Sequence, residues 1–73
     1  MKRTNRKIVD FINSEWLSQA KSLNSFAVEH SLDEKTVRRI KNDPNYTISL
    51  DTIGKLCEAR NIKLSEFYNL VGL

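Results

Sequence analysis

Apolar residues recur in this chain at spacings of three and four, in five separate runs, and that periodicity most limits the fold. Ile8, Phe11, Ile12 and Trp16 make the first run, with Val9 and Ala20 widening the stripe. Leu23, Phe26 and Ala27 make the second, with His30 at its edge, and Val37 and Ile40 the third. Leu50, Ile53, Leu56 and Cys57 follow, then Phe67, Leu70 and Val71. A helix turns every 3.6 residues, so each run lines one face of a helix. A sheet would need alternation, and the single β-like triplet Tyr46-Thr47-Ile48 has nothing to pair with. The chain is therefore expected to be all-α and compact, with five helices.

Turn and cap residues set the expected boundaries. Helix one is expected to start with Thr4 or Asn5 as N-cap and run to about Ala20. Met1 to Asn5 lack apolar anchors, so residues 1–5 are expected to be a flexible basic arm before one domain over residues 6–73. Asn13, Ser14, Ser18 and Lys21 are assigned to the water-facing side, and Trp16 to the core. Ser22 caps a short helix two through about His30, and His30-Ser31-Leu32 forms a turn plugged by Leu32. Asp33 caps helix three. Asn42-Asp43-Pro44-Asn45 stops it, because the residue before a proline is pushed out of the α region. Ser49 caps helix four through about Arg60, where Gly54 implies either close packing or simple tolerance. Helix five runs from about Leu64 to Val71, with Phe67, Leu70 and Val71 inward and Tyr68 and Leu73 outward.

Composition removes several function classes. One cysteine and one histidine in 73 residues allow no internal disulfide and no closed zinc site. Cys57, on an apolar face, reads as an inert buried thiol. There is no paired carboxylate, Cys–His constellation or phosphate-binding glycine loop, so the chain is not expected to be an enzyme, to need a cofactor or to take a small-molecule substrate. No apolar run approaches the roughly 20 residues of a membrane span, and no signal-peptide pattern follows the basic start. A cytoplasmic protein with no membrane partner is expected.

The net charge of +3 is modest, so its distribution decides more than its size. Eight of the 12 Lys and Arg fall in two clusters: Lys2, Arg3, Arg6 and Lys7, and Lys35, Arg38, Arg39 and Lys41. The second cluster lies on helix three, where only Val37 and Ile40 are apolar. Such clustering is the footprint of a polyanion binder.

The run from Ser22 to Phe67 resembles the phage-repressor/Cro-type (Xre-type) helix-turn-helix domain, a lambda-repressor-like fold. The residues that carry the likeness are Phe26-Ala27, Ser31-Leu32-Asp33, Thr36-Val37 and Arg39-Ile40, then Ser49-Leu50-Asp51-Thr52-Ile53, Ala59-Arg60-Asn61-Ile62 and Leu64-Ser65-Glu66-Phe67. Their order and spacing make the match, over about two thirds of the chain. Three positions depart from the family pattern. Leu23 stands where Gln is common, Ser31 replaces the turn glycine, and Lys63 sits at the N-cap of helix five.

The resemblance implies that helices two and three form the helix-turn-helix and that helix three enters the major groove of double-stranded DNA. Asp33, Glu34, Lys35, Arg38 and Arg39 would then face base edges. Lys and Arg donate to guanine, whereas Glu34 either accepts from cytosine or holds Arg38 one turn away. Ser22, Thr36, Lys41, Asn42, Asn45 and Tyr46 would meet the DNA backbone, with Lys2, Arg3 and Arg6 adding contacts from the N-terminus. Phe67, Tyr68, Leu70 and Val71 are the expected homodimer surface. The implied role is a sequence-specific transcriptional regulator, a repressor, on the nucleoid of a prokaryote or on phage DNA. Regulation would come through dimer concentration or a protein partner. An antitoxin or a restriction–modification controller protein of the same fold is the alternative.

Overall fold

The computed structural model describes residues 2–73, with side chains from Arg3 onward. Five α-helices follow one another: α1 (Lys2–Phe11), α2 (Leu23–Glu29), α3 (Glu34–Asn42), α4 (Leu50–Ala59) and α5 (Leu64–Val71). No strand occurs among the described residues, and Tyr46 to Ile48 is an ordered loop. The core takes side chains from every helix, with Val9, Phe26, Val37, Ile40, Leu56 and Phe67 essentially sealed from water.

Helix one departs from expectation at both ends. It already includes Lys2, so neither Thr4 nor Asn5 is its N-cap, and the backbone of residues 2–5 is helical. After Phe11 the helix widens into a π-type turn (Ile12–Trp16), then tightens into a 3₁₀ turn (Leu17–Gln19). Serine hydroxyls compete for backbone carbonyls there: Ser18 Oγ donates to Ser14 O at 2.6 Å and Ser14 Oγ to Phe11 O at 3.4 Å. Asn13, assigned to water, instead turns inward and donates to Ile40 O at 2.7 Å.

The caps of the later helices follow the sequence closely. Ser22 and Ser25 form a reciprocal capping box, each side chain bonding the other's backbone N–H. Ser49 Oγ accepts from Thr52 N at 3.1 Å. Lys63 has no side-chain acceptor, but its backbone N–H donates to Glu66 Oε1 at 2.8 Å, so α5 begins at Leu64. Asp33 stands at the N-cap of α3 without a side-chain bond to it.

Helices α2 and α4 both end in residues of positive φ, Ser31 at 56° and Asn61 at 55°. Leu32 N bonds Ala27 O at 2.8 Å and Ile62 N bonds Cys57 O at 3.0 Å, closing two Schellman motifs. Ser31 thus does the work of the glycine usual at this turn, at the cost of holding a left-handed conformation.

Leu50 and Leu70 are expected inward but are 64% and 57% exposed: Leu50 is the first residue of α4, and Leu70 lies beside the face that Phe67 and Val71 turn to the core. Gly54 is exposed, and a Cβ built on it meets nothing within 4 Å. The glycine is therefore tolerance, not close packing. Gly54→Ala should raise stability by about 1 kcal/mol through helix propensity alone, measurable as a higher urea midpoint with unchanged slope. Burial pushes the Cys57 thiol above its ordinary pKa, which keeps it protonated and unreactive.

A polar seam joins α2 to α4. The buried His30 ring bonds Phe26 O through Nδ1 at 2.8 Å, leaving Nε2 to accept from Arg60 Nη1 at 3.1 Å. The Arg60 guanidinium also lies 4.2 Å over the Trp16 ring. Burial between these groups lowers the Arg60 pKa, which the nearby Glu29 charge opposes.

Candidate nucleic-acid interface

Val37 and Ile40 anchor α3 to the core, and helical periodicity turns Lys35, Arg38, Arg39 and Asn42 (positions i, i+3, i+4 and i+7) to the opposite side. All four are exposed. The seven residues of α2 pack against α3, and the Ser31 turn fixes the angle between them. The C-terminal end of α3 is held by Asn13, whose bond to Ile40 O satisfies one of the carbonyls a helix end leaves unpaired.

Two of the arginines are held in place by neighbours. Arg38 Nη2 donates to Glu34 Oε1 at 2.7 Å, and the other oxygen of that carboxylate accepts from Asn24 Nδ2 at 3.3 Å. Glu34 is thus a bracket between α2 and Arg38, on the flank of the outward stripe. Arg39 lies with its guanidinium carbon 5.0 Å from the centroid of the Tyr46 ring and its Nε 3.6 Å from Asp43 Oδ2. Lys35 and Lys41 have no acid within ion-pair distance among the described residues.

The remaining expected contact residues divide by exposure. Lys41, Asn42 and Asn45 are exposed near the end of α3 and in the loop after it, and Asp33 is exposed at its tip. Ser22 is exposed, although its hydroxyl oxygen already caps α2. Thr36 is half-buried. Tyr46 is a correction: its ring is only 7% exposed and packs into the core beneath Arg39. Arg6 is tied within the fold, to Asp10 at 2.9 Å and to Pro44 O at 2.8 Å. Arg3 is exposed on the wall of a groove of about 530 Å³ that Asn5, Arg6, Pro44, Asn45, Tyr46 and Thr47 complete. The expected contact of the Lys2 side chain lies outside the described residues.

The expected dimer surface is corrected at one position. Phe67 is fully buried, in edge-on contact with Phe11 at 5.9 Å and tilted against Trp16 at 5.4 Å. Tyr68 and Val71 are half-buried, and Leu64, Leu70 and Leu73 are the exposed apolar groups of the C-terminal segment.

The model of the Cro/C1-type helix-turn-helix DNA-binding domain matches residues 19–72. The chain belongs to this family. The match spans α2 to α5, so the helix-turn-helix of this Cro/C1-type domain is α2, the Ser31 turn and α3, within a lambda-repressor-like fold. No curated protein and no solved structure matches the chain. α1 lies outside the matched residues, so the roles of Asn5, Arg6 and Asn13 rest on this chain's own geometry. Asn13 and Asn24 hold elements of the candidate interface, and sequence reasoning missed both. Neither carries charge or apolar surface, and each acts on a partner in another helix. Among the described residues no helix is long and apolar enough to cross a membrane.

Proposed function

We propose that this Cro/C1-type domain is a sequence-specific double-stranded DNA-binding transcriptional regulator, a repressor, that lays α3 in the major groove as a homodimer. The observation that carries this reading is the basic stripe Lys35, Arg38 and Arg39, opposite the buried Val37 and Ile40. Lys35 at the tip and the bracketed Arg38 meet base edges, where lysine and arginine donate to guanine O6 and N7. Lys41, Asn42 and Asn45 meet phosphates and set register. Arg3, on the groove beside the α3–α4 loop, meets the flanking backbone. The exposed leucines of the C-terminal segment, Leu64, Leu70 and Leu73, join two copies around a two-fold axis. That arrangement would set half-sites about 34 Å apart, or a multiple of it.

Selection of bound sequences from random duplexes tests the function. A palindromic site should emerge, and failure to enrich any sequence would sink the proposal. Arg3→Ala should weaken selected and random duplexes alike and lower the slope of log affinity against log salt by about one. A titration series in potassium chloride reads that slope.

A further inference from the structure

We propose that Asn5, on the first turns of α1, is a positioning residue for DNA recognition that acts through the α3–α4 loop on Arg39. The inference rests on the DNA-reading function proposed above. The Asn5 carboxamide uses both of its ends on one stretch of loop. Nδ2 donates to Tyr46 O and Oδ1 accepts from Ile48 N, each at 2.8 Å. This is how a neighbouring strand would hold an extended segment, and among the described residues there is no strand for it to pair with. Arg6 reinforces the hold by donating to Pro44 O at 2.8 Å.

The held loop carries the two groups that hold Arg39. The Tyr46 ring, wedged into the core, offers its face to the guanidinium, and Asp43 lies beside Arg39 Nε. Within the loop itself, the backbone makes one turn bond, Tyr46 N to Asp43 O at 3.2 Å, and the Asp43 carboxylate accepts from Asn45 N at 2.9 Å. Those local bonds shape the turn but do not place it against the domain. Asn5 adds two bonds that do, from 41 and 43 residues away in sequence, beside the Arg6 bond and the buried Tyr46 and Ile48 side chains. A long, flexible arginine held in one direction before binding loses less freedom on meeting DNA.

A double-mutant cycle tests the proposal, by anisotropy titration of the duplex selected by the wild type, well below the melting temperature. Asn5→Ala and Arg39→Ala should each weaken binding by about tenfold, and the double variant should be about as weak as Arg39→Ala alone. Selection repeated with Asn5→Ala should relax the base pair that Arg39→Ala relaxes and keep the one that Lys35→Ala relaxes. Losses that multiply to about a hundredfold, or wild-type affinity in Asn5→Ala, would overturn the proposal. Circular dichroism at the same temperature checks folding. Should Asn5→Ala not fold, Asn5→Gln goes through the same cycle with the same two outcomes, since it stays neutral and moves the amide one methylene away from Tyr46 O and Ile48 N. Wild-type binding is read in the same titrations. If it does not distinguish the selected duplex from random DNA, the DNA-reading function fails. If it does and the losses multiply, only the role of Asn5 fails.

Discussion

Phe67→Ala should remove a large part of the protein's stability, not merely its self-association. The ring is fully buried among Phe11, Trp16 and Tyr68, with centroids 5.4 to 6.0 Å away. Truncating such a residue leaves a cavity and removes its transfer energy, about 3–5 kcal/mol in all. A chain of 73 residues has roughly 4–11 kcal/mol to lose. The melting temperature should therefore fall by roughly 12–40 °C. The drop should be the same at low and high protein concentration, because Phe67 joins α1 to α5 within one chain. A deficit that disappears at high concentration would return Phe67 to the interface.

Leu70→Glu should do the reverse, leaving the fold intact and destroying tight operator binding. The side chain is 57% exposed on α5, so its exchange changes stability by less than about 1 kcal/mol. A carboxylate facing its own symmetry mate across an apolar contact is repelled and desolvated, so the proposed dimer should not form. Each domain would then engage one half-site without the effective concentration its partner supplies, a loss of roughly a hundredfold or more. Light scattering should report the 8.5 kDa monomer, and anisotropy should show the affinity loss. A variant that still binds as the wild type does would place the dimer contact elsewhere.

The contrast between these two residues shows what was legible in the sequence. Five helices and most of their boundaries could be read, because Ser22, Asp33 and Ser49 stand at N-caps and the apolar spacing is helical. Periodicity also identified the outward stripe of α3, because only Val37 and Ile40 break its polarity. What periodicity cannot do is say how far a core extends. Leu50, Leu70 and Phe67 look alike in a list of apolar positions, and only the packing of five helices seals Phe67 and leaves the leucines out. The interruption of helix one after Phe11 was hidden for a different reason, since serine hydroxyls competing for carbonyls leave no trace in the apolar pattern.

The amides were the least legible part of the site. Asn5 read as a helix cap and Asn13 as a solvent-facing residue, yet both are bound to backbone of α3 and the loop after it. Their partners lie 27 to 43 residues away, and no local signal points to them. Glu34 is the intermediate case. Its spacing to Arg38 allowed the ion pair to be foreseen, but the third member, Asn24, comes from a different helix. The exposed charges of α3 were thus readable, and the amides that reach them from other elements were not.

The base-reading role of α3 is tested most directly by one ratio, the affinity for the selected duplex divided by that for random duplex of equal length. Lys35 is the residue to change, because it is exposed at the tip of the stripe and has no ion-pair partner among the described residues, so its loss leaves the fold undisturbed. Lys35→Ala should weaken binding to the selected duplex by about 1–3 kcal/mol and relax preference at one base pair, while random DNA loses much less, so the ratio falls. An equal loss on both duplexes, with the ratio unchanged, would mean that Lys35 touches only phosphate and would contradict base reading by α3.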